Sequence, residues 1–454
     1  MAINTKGLKR TRIGIISRRR FIKTSLACAA LASTGNLIIP RYGAAKTKQL
    51  KIMQWIHYVP GYDTWFNDSY IKEWGDKNDT EVMVDNISLA ALNARADAEV
   101  LVERGHDLFL FLWPRPDLEQ HVIDLKDVYE ECINAQGKPI DLALGSSYNL
   151  KTNKYYGVSV SFVPGPIEYR KDLWDSVGVY PDTWDDVRKG GAKIKKKHDV
   201  ALGLGLASEI DTNMFLRSVM YSFGSSVQDK EGNVILNSKE TLEAIKFVKA
   251  MYEESMTPDV FTYDASSNNR LILTGKGSLT MNAVSITRTA EKDYPDMAKK
   301  IWLAKCPEGP VRRMGLQHVM NVYSIWKFAD NIDGAKKFII DYVNNFDRAF
   351  TASEFYNFPC FPNSVPDLRE QIAYDEHADP HDKYKVLEDV QDWATNIGFP
   401  GYVNAGISEV FGAWLIPTMF GKAAKGDMSP EDALRETDKK AQAIFKKWRD
   451  EGVL

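Results

Sequence analysis

Cysteine is scarce in this chain: four in 454 residues, of which Cys132, Cys306 and Cys360 lie after residue 45. Three thiols make at most one bridge, so disulfides are not the framework, and pairing of Cys306 with Cys360 is left to geometry. Catalytic and metal signatures are missing as well. There is no Cys-x-x-Cys, no His-Glu-x-x-His and no Gly-x-Ser-x-Gly, which removes the usual zinc, redox and nucleophile-elbow motifs. Gly203-Leu204-Gly205 lacks the third glycine of a dinucleotide loop, and Arg270 stands where a phosphate loop ending at Gly275-Lys276 needs glycine. Of the seven histidines only His377 and His381 have ligand-like spacing; Pro380 between them opposes a single helix, and the segment reads as a solvated acidic loop. Asp229-Lys230-Glu231-Gly232-Asn233 has the wrong glycine offset for a calcium loop and reads as a hairpin turn. No metal and no cofactor is expected. After residue 45 no stretch approaches the roughly 18 apolar residues of a membrane helix. Basic excess is lacking too: Lys plus Arg is 58 against 61 acids, but nine of the bases and none of the acids precede residue 46, leaving the remainder at −12. Such a body is not expected to bind nucleic acid or anionic lipid through its overall field.

What is present begins with an address. Ser17-Arg18-Arg19-Arg20-Phe21-Ile22-Lys23 precedes a small-residue apolar stretch, and Gly43-Ala44-Ala45 suits a signal-peptidase groove. Residues 1–45 resemble a twin-arginine export signal, which implies the translocase of that pathway as a partner and the periplasm as the destination. Cys28 follows too short an apolar run to be read as a lipid anchor. From Gln49 onward, apolar strands alternate with amphipathic helices, the pattern of an α/β protein. Strands are expected at 50–56, 81–85, 107–113, 157–161, 278–282 and 319–325. Helices are expected at 70–77, 89–103, 171–177, 184–197, 238–254, 332–344 and 430–450. Thr183, Ser238 and Ser429 are placed as N-caps, and Ala433, Ala441, Ile444 and Trp448 as the inward face of the last helix. Phe162-Val163-Pro164-Gly165-Pro166 enforces an extended break.

One run of motifs is more specific. Tyr156-Gly157-Val158 is followed by Glu168-Tyr169-Arg170-Lys171-Asp172-Leu173-Trp174, then Gly178-Val179 and Pro181-Asp182-Thr183-Trp184-Asp185-Asp186. With Asn269 to Asn282, Ile332 to Val343 and the closing Ser429-Pro430-Glu431-Asp432-Ala433-Leu434, this resembles the extracellular solute-binding proteins of sugar ABC importers, the class that includes maltose-binding protein. The usual Tyr-Gly-Val-Pro is here Tyr-Gly-Val-Ser, with the proline delayed to Pro164.

The resemblance implies a type II periplasmic-binding-protein fold: two α/β lobes with a ligand cleft between them. Residues 46–160 would begin lobe 1, 161–318 lobe 2, 319–366 return to lobe 1, and 367–454 add mainly lobe 2 helices. Ligands of open α/β sheets sit beyond strand ends, which singles out Trp55, His57, Tyr58, Trp65 and Trp113 in the first lobe. From the crossing and second lobe come Phe162, Glu168, Asn282, Ser285 and His318, and from later loops Tyr356, Tyr402, Asn404 and Trp414. A sugar needs aromatic planes for its C–H faces and amides, carboxylates or imidazoles for its hydroxyls. Trp55 and Trp113 are placed in the cleft, whereas Trp74, Trp174, Trp184, Trp326, Trp393 and Trp448 are placed in the core. The implied role is a non-enzymatic, monomeric carrier that closes on a small solute and docks on ABC permease subunits of the inner membrane. Two alternatives stay open: a binder of polyamines or betaines, and a periplasmic carbohydrate-active enzyme.

Overall fold

The computed structural model describes residues 48–454, so the export signal, its cleavage site and Cys28 lie outside the described residues. Strand β1 (Lys48–Trp55) turns apolar after its first two residues, and Leu50, Ile52, Met53 and Trp55 are all buried. It pairs in parallel with β2 (Thr80–Ile87) and β3 (Leu108–Phe111). Between them run α1 (Ile71–Lys77), preceded by a wide turn over Phe66–Tyr70, and α2 (Leu92–Val102). All four residues of β3 are buried, as a strand covered on both faces requires. Helix α3 (Lys126–Gln136) leads on to β4 (Val158–Val163), where Pro164-Gly165-Pro166 ends the strand and passes the chain to β5 (Ile167–Arg170).

The second group of elements follows: α4 (Trp184–His198), α5 (Ile210–Ser222), α6 (Lys239–Ser255), β6 (Leu279–Met281), α7 (Ser285–Asp293) and β7 (Ile301–Ala304). The chain then returns through β8 (Val319–Ile325), α8 (Ile332–Asn344) and β9 (Phe358–Pro359). Helices α9 (Ala405–Gly412), α10 (Leu415–Lys425) and α11 (Pro430–Asp450) close it. Six strands form one sheet in the order β9-β4-β8-β3-β1-β2, and β6-β5-β7 form another. Two α/β lobes result, within one unit spanning residues 46–454. Residues 201–206 extend the smaller sheet beside β6, with Ser278 N–H donating to Ala201 O and Gly203 N–H to Leu279 O. This places the following turn and the start of α5 at a sheet end.

Thr183 caps α4 reciprocally with Asp186, and Ser238 and Ser429 cap α6 and α11. Residues 229–233 form the expected tight turn, with Asp229 bonded to Asn233 and a bridge between Gln228 and Val234. Two sequence expectations are corrected, and one helix was not foreseen. The helix after β5 stops at Asp175, with Gly178 in the left-handed region at φ +65°, so Val177 flanks the element. Helix α5 was not anticipated. On α11 the buried residues are Ala433, Leu434, Thr437, Ala441 and Phe445, while Ile444 and Trp448 are half-buried at its flank. Cys132, Cys306 and Cys360 are buried free thiols.

Candidate functional site

Strand β1 ends at Trp55, and the next turn carries His57 and Tyr58. The Asp63 carboxylate accepts from His57 N–H at 3.0 Å, and Val59 N–H donates to His57 Nδ1 at 2.9 Å. Asn357 Nδ2 lies 3.3 Å from His57 Nε2, and Asn357 is joined through Asn321 to Ser161. This buried polar ladder fixes the imidazole, and burial lowers its pKa from 6.5 to about 3, so it stays neutral. Trp55 lies 5.6 Å from Tyr58 and 6.2 Å from Tyr356, and His57 meets Tyr356 edge-on at 4.7 Å.

Tyr356 reaches this group through an unusual turn. Glu354 and Phe355 are consecutive left-handed residues, φ +52° and +66°, each costing about 1–2 kcal/mol relative to ordinary backbone. Arg288 of α7 braces the turn: its Nε donates to Glu354 O at 2.9 Å and its guanidinium lies 4.9 Å over the Phe355 ring. The same side chain is ion-paired with Glu291 and Asp375.

The facing wall is built at the start of α5. Glu209 is its N-cap, accepting from the Asp211 and Thr212 N–H groups. Asp211 follows, and its Oδ2 accepts from Asn268 at 2.9 Å and Asn282 at 3.3 Å. Asn282 also donates to Asn269 Oδ1, and Asn269 to Ser285 Oγ. His318, where the chain returns to the larger sheet, holds Nε2 at 3.4 Å from Asp211 Oδ1. Burial lowers the His318 pKa to about 4. The two walls feel each other. The Tyr58 hydroxyl is pushed up to about 12 by burial first and then by Asp211, Asp264 and Glu209; Tyr356 is raised by burial, Tyr58 and Asp211. The Asp211 carboxyl is itself raised well above its ordinary value by burial and by Glu209.

Seven of the sequence-derived residues therefore converge: Trp55, His57, Tyr58 and Tyr356 on one wall, Asn282, Ser285 and His318 on the other. Trp113 and Trp414 form a second cluster through Phe411, with ring separations of 5.2 Å (Trp113 to Phe411) and 6.5 Å (Trp113 to Trp414). Five are not brought to either. Trp65 stacks on Tyr70 under Arg348 and reaches His57 only through Tyr62. Phe162 is core, against Phe358. Glu168 is fully buried against Thr287. Tyr402 lies beside Tyr148, and Asn404 is the N-cap of α9, held by Gln228. Both line a separate cavity of about 380 Å³. A cavity of about 620 Å³ opens at the Glu354–Phe355 turn, lined by Arg288, Glu354, Phe355 and Tyr374 among others, and includes none of the aromatic cluster. Glu209, Asp211, Asn268 and Asn269 were not placed in the site from the sequence, although the acidic pair Glu209 and Asp211 is an N-terminus signal.

Aromatic faces set against amides, a carboxylate and a neutral imidazole can bind a polyhydroxylated solute without covalent chemistry. Among the described residues no group of three or more His, Cys, Asp or Glu could hold a metal ion. No described helix is long and apolar enough to cross a membrane.

The family model described as bacterial extracellular solute-binding protein matches residues 70–344, more than half of the chain. Among curated relatives, a binding protein of Brucella abortus (strain 2308) is 26% identical over 300 residues, 65% of this chain and 69% of that one. The arabinooligosaccharide-binding protein of Bacillus subtilis (strain 168) is 27% identical over 199 residues, 42% of this chain and 44% of that one. Among solved structures, maltose-bound T. maritima MalE3 superposes with a TM-score of 0.72 at 18% identity, covering 87% of this chain and 99% of that one. The sugar transporter of Arthrobacter chlorophenolicus A6 with bound laminaribiose gives 0.73 at 17% identity, covering 87% and 99%.

Proposed function

The chain belongs to the bacterial extracellular solute-binding proteins, and on that premise we propose that it captures a sugar or oligosaccharide between its lobes and delivers it to the permease subunits of an ABC importer. The observation that carries this reading is the gathering of Trp55, Tyr58 and Tyr356 into one aromatic cluster and of Asp211, Asn268 and Asn282 into one hydrogen-bonded cluster, with the Asp211 field felt at Tyr58 and Tyr356. Ring faces take the C–H planes of a pyranose, and the amides and carboxylate take its hydroxyls. The solutes named for its relatives and structural neighbours, arabino-oligosaccharide, maltose and laminaribiose, favour the same class. Residues 46–160 and 319–366, with the end of β4 to Val163, form one lobe, the chain from there to 318 the other, and 367–454 add mainly second-lobe helices. Ligand between the lobes stabilises the closed form, which the permease reads. The protein is exported by the twin-arginine route to the periplasm, loses residues 1–45, works as a monomer and turns over no ligand.

A thermal-shift and calorimetric screen of residues 46–454 against mono- and oligosaccharides, polyols, betaines and polyamines tests this. A cognate sugar at 100 times its dissociation constant stabilises the fold by about 2.7 kcal/mol. Trp55→Ala or Trp113→Ala weakens that sugar by roughly 1–3 kcal/mol through lost stacking, and because both rings are buried each variant also loses stability, so ligand-free melting is read beside the affinity. Unchanged affinity in both variants places the cleft elsewhere, and silence from every saccharide overturns the substrate class.

A further inference from the structure

Asp211 is 5% exposed, and with no basic side chain beside it burial and Glu209 raise its carboxyl well above the ordinary range, so its ionised form calls for a cation from outside the protein. Its Oδ2 is occupied by the two asparagine amides, but Oδ1 faces only His318, which burial keeps neutral near pH 7. Among the described residues neither Asp211 nor Glu209 forms an ion pair with lysine or arginine. Arg270 is committed to Asp264, and Arg288 to Glu291 and Asp375. An ammonium would pair with this carboxyl in its ionised form, whereas a sugar hydroxyl fills a hydrogen bond and brings no charge.

A second feature, on the opposite wall, points to a ligand. Tyr356 is 1% exposed, yet its hydroxyl has no hydrogen-bond partner among the described residues, and the groups whose fields reach it are Tyr58 and Asp211. The Tyr58 hydroxyl is likewise without a partner and lies within the fields of Asp211, Asp264 and Glu209. Asp211 Oδ1, which has only His318 beside it, and the two phenol oxygens are thus acceptors without a strong donor, on groups of residues that meet where Arg288 of α7 bonds Glu354, two residues before Tyr356. A primary ammonium has three donors and no acceptor, whereas a sugar hydroxyl offers one donor. The tyrosine rings add faces that attract a cation.

We propose that the cleft selects a solute carrying a protonated primary amine, an amino sugar or an oligosaccharide containing one, with the ammonium held between Asp211 and the hydroxyls of Tyr58 and Tyr356. This rests on the saccharide reading and narrows it. The test uses matched sets: glucosamine, galactosamine, mannosamine and fully deacetylated chito-oligosaccharides, each beside its hydroxyl and N-acetyl counterpart, plus spermidine as a sugar-free amine. Isothermal calorimetry is expected to give the amine form at least about ten-fold tighter binding than its hydroxyl counterpart, with affinity falling as salt rises. Asp211→Asn, nearly isosteric, abolishes the preference, and Tyr356→Phe, which keeps the ring, reduces it several-fold. Ligand-free melting shows that each variant is folded. Equal or tighter binding of the hydroxyl forms overturns the amine proposal and leaves the saccharide reading standing. Spermidine binding with no response to any sugar overturns the saccharide reading, and silence throughout overturns both.

Discussion

Glu168 is fully buried in β5, with Oε1 accepting from Thr287 and Oε2 without a partner. Burial raises its pKa from 4.5 to about 8, against the smaller opposing effect of the Thr287 bonds. The native state therefore holds a proton that the unfolded chain releases above 4.5, and stability falls as pH rises from about 4.5 to 8. His57 and His318 act in the other direction: their native pKa values, about 3 and about 4, lie below 6.5. The unfolded chain takes up protons that the native state refuses, and stability falls as pH drops below 6.5. Glu168→Gln keeps the shape of the neutral carboxyl and removes the first dependence. Relative to the parent, it gains on the order of 4 kcal/mol by pH 8 and nothing below pH 4.5. Urea titrations at pH 4.5, 6.5 and 8.5 measure this, and an equal change at all three would show that the native carboxyl is ionised. The variant is expected to bind solute normally, because Glu168 lies apart from the two walls.

At the scale of elements, the capping chemistry can be tested away from the cleft. Thr183 and Asp186 satisfy each other's backbone N–H groups at the start of α4, so Thr183→Ala costs about 1 kcal/mol of stability. The melting temperature falls and solute affinity holds; an affinity loss of similar size would mean that α4 moves with the cleft. Elements with a solvent face were legible in the sequence. The starts of α4, α6 and α11 follow from Thr183, Ser238 and Ser429, and the ends of α8 and α11 from their apolar stripes. Helix α5 was not, because all thirteen of its residues are buried and no polar face marks its period. Its Asp211, Asn213 and Arg217 bond inward, and such residues look from sequence like a loop. The loss matters because α5 carries one wall of the candidate site. The rule that ligands sit beyond strand ends led to Trp55, His57, Tyr58, Asn282, Ser285, His318 and Tyr356, which the fold gathers. It could not tell which way a side chain leaves its strand. Phe162 and Glu168 therefore turn into the core, and Asn404 is taken up by capping α9.

At the scale of the whole molecule, the proposed closure depends on contacts that form only when the lobes meet. One candidate is at Ser408 of α9, which donates at 2.7 Å to Asp117 Oδ1 and is 3.2 Å from Pro114 O, both on the loop after β3. Helix α9 packs on α11, whereas the loop follows β3 of the larger sheet, so with residues 367–454 assigned to the second lobe as proposed, this contact joins the two lobes. A contact present only in the closed form adds to the apparent affinity for solute and nothing to the stability of an open, ligand-free protein. Ser408→Ala is accordingly expected to weaken solute binding by about 1 kcal/mol, roughly five-fold. Its ligand-free melting temperature should match the parent's, and small-angle scattering of the parent should show a smaller radius of gyration with solute than without. The opposite split, a lower melting temperature with unchanged affinity, would assign the Ser408 contact to a permanently joined scaffold. The solute would then enter a preformed cleft, and the permease would have to recognise the bound ligand by something other than lobe closure.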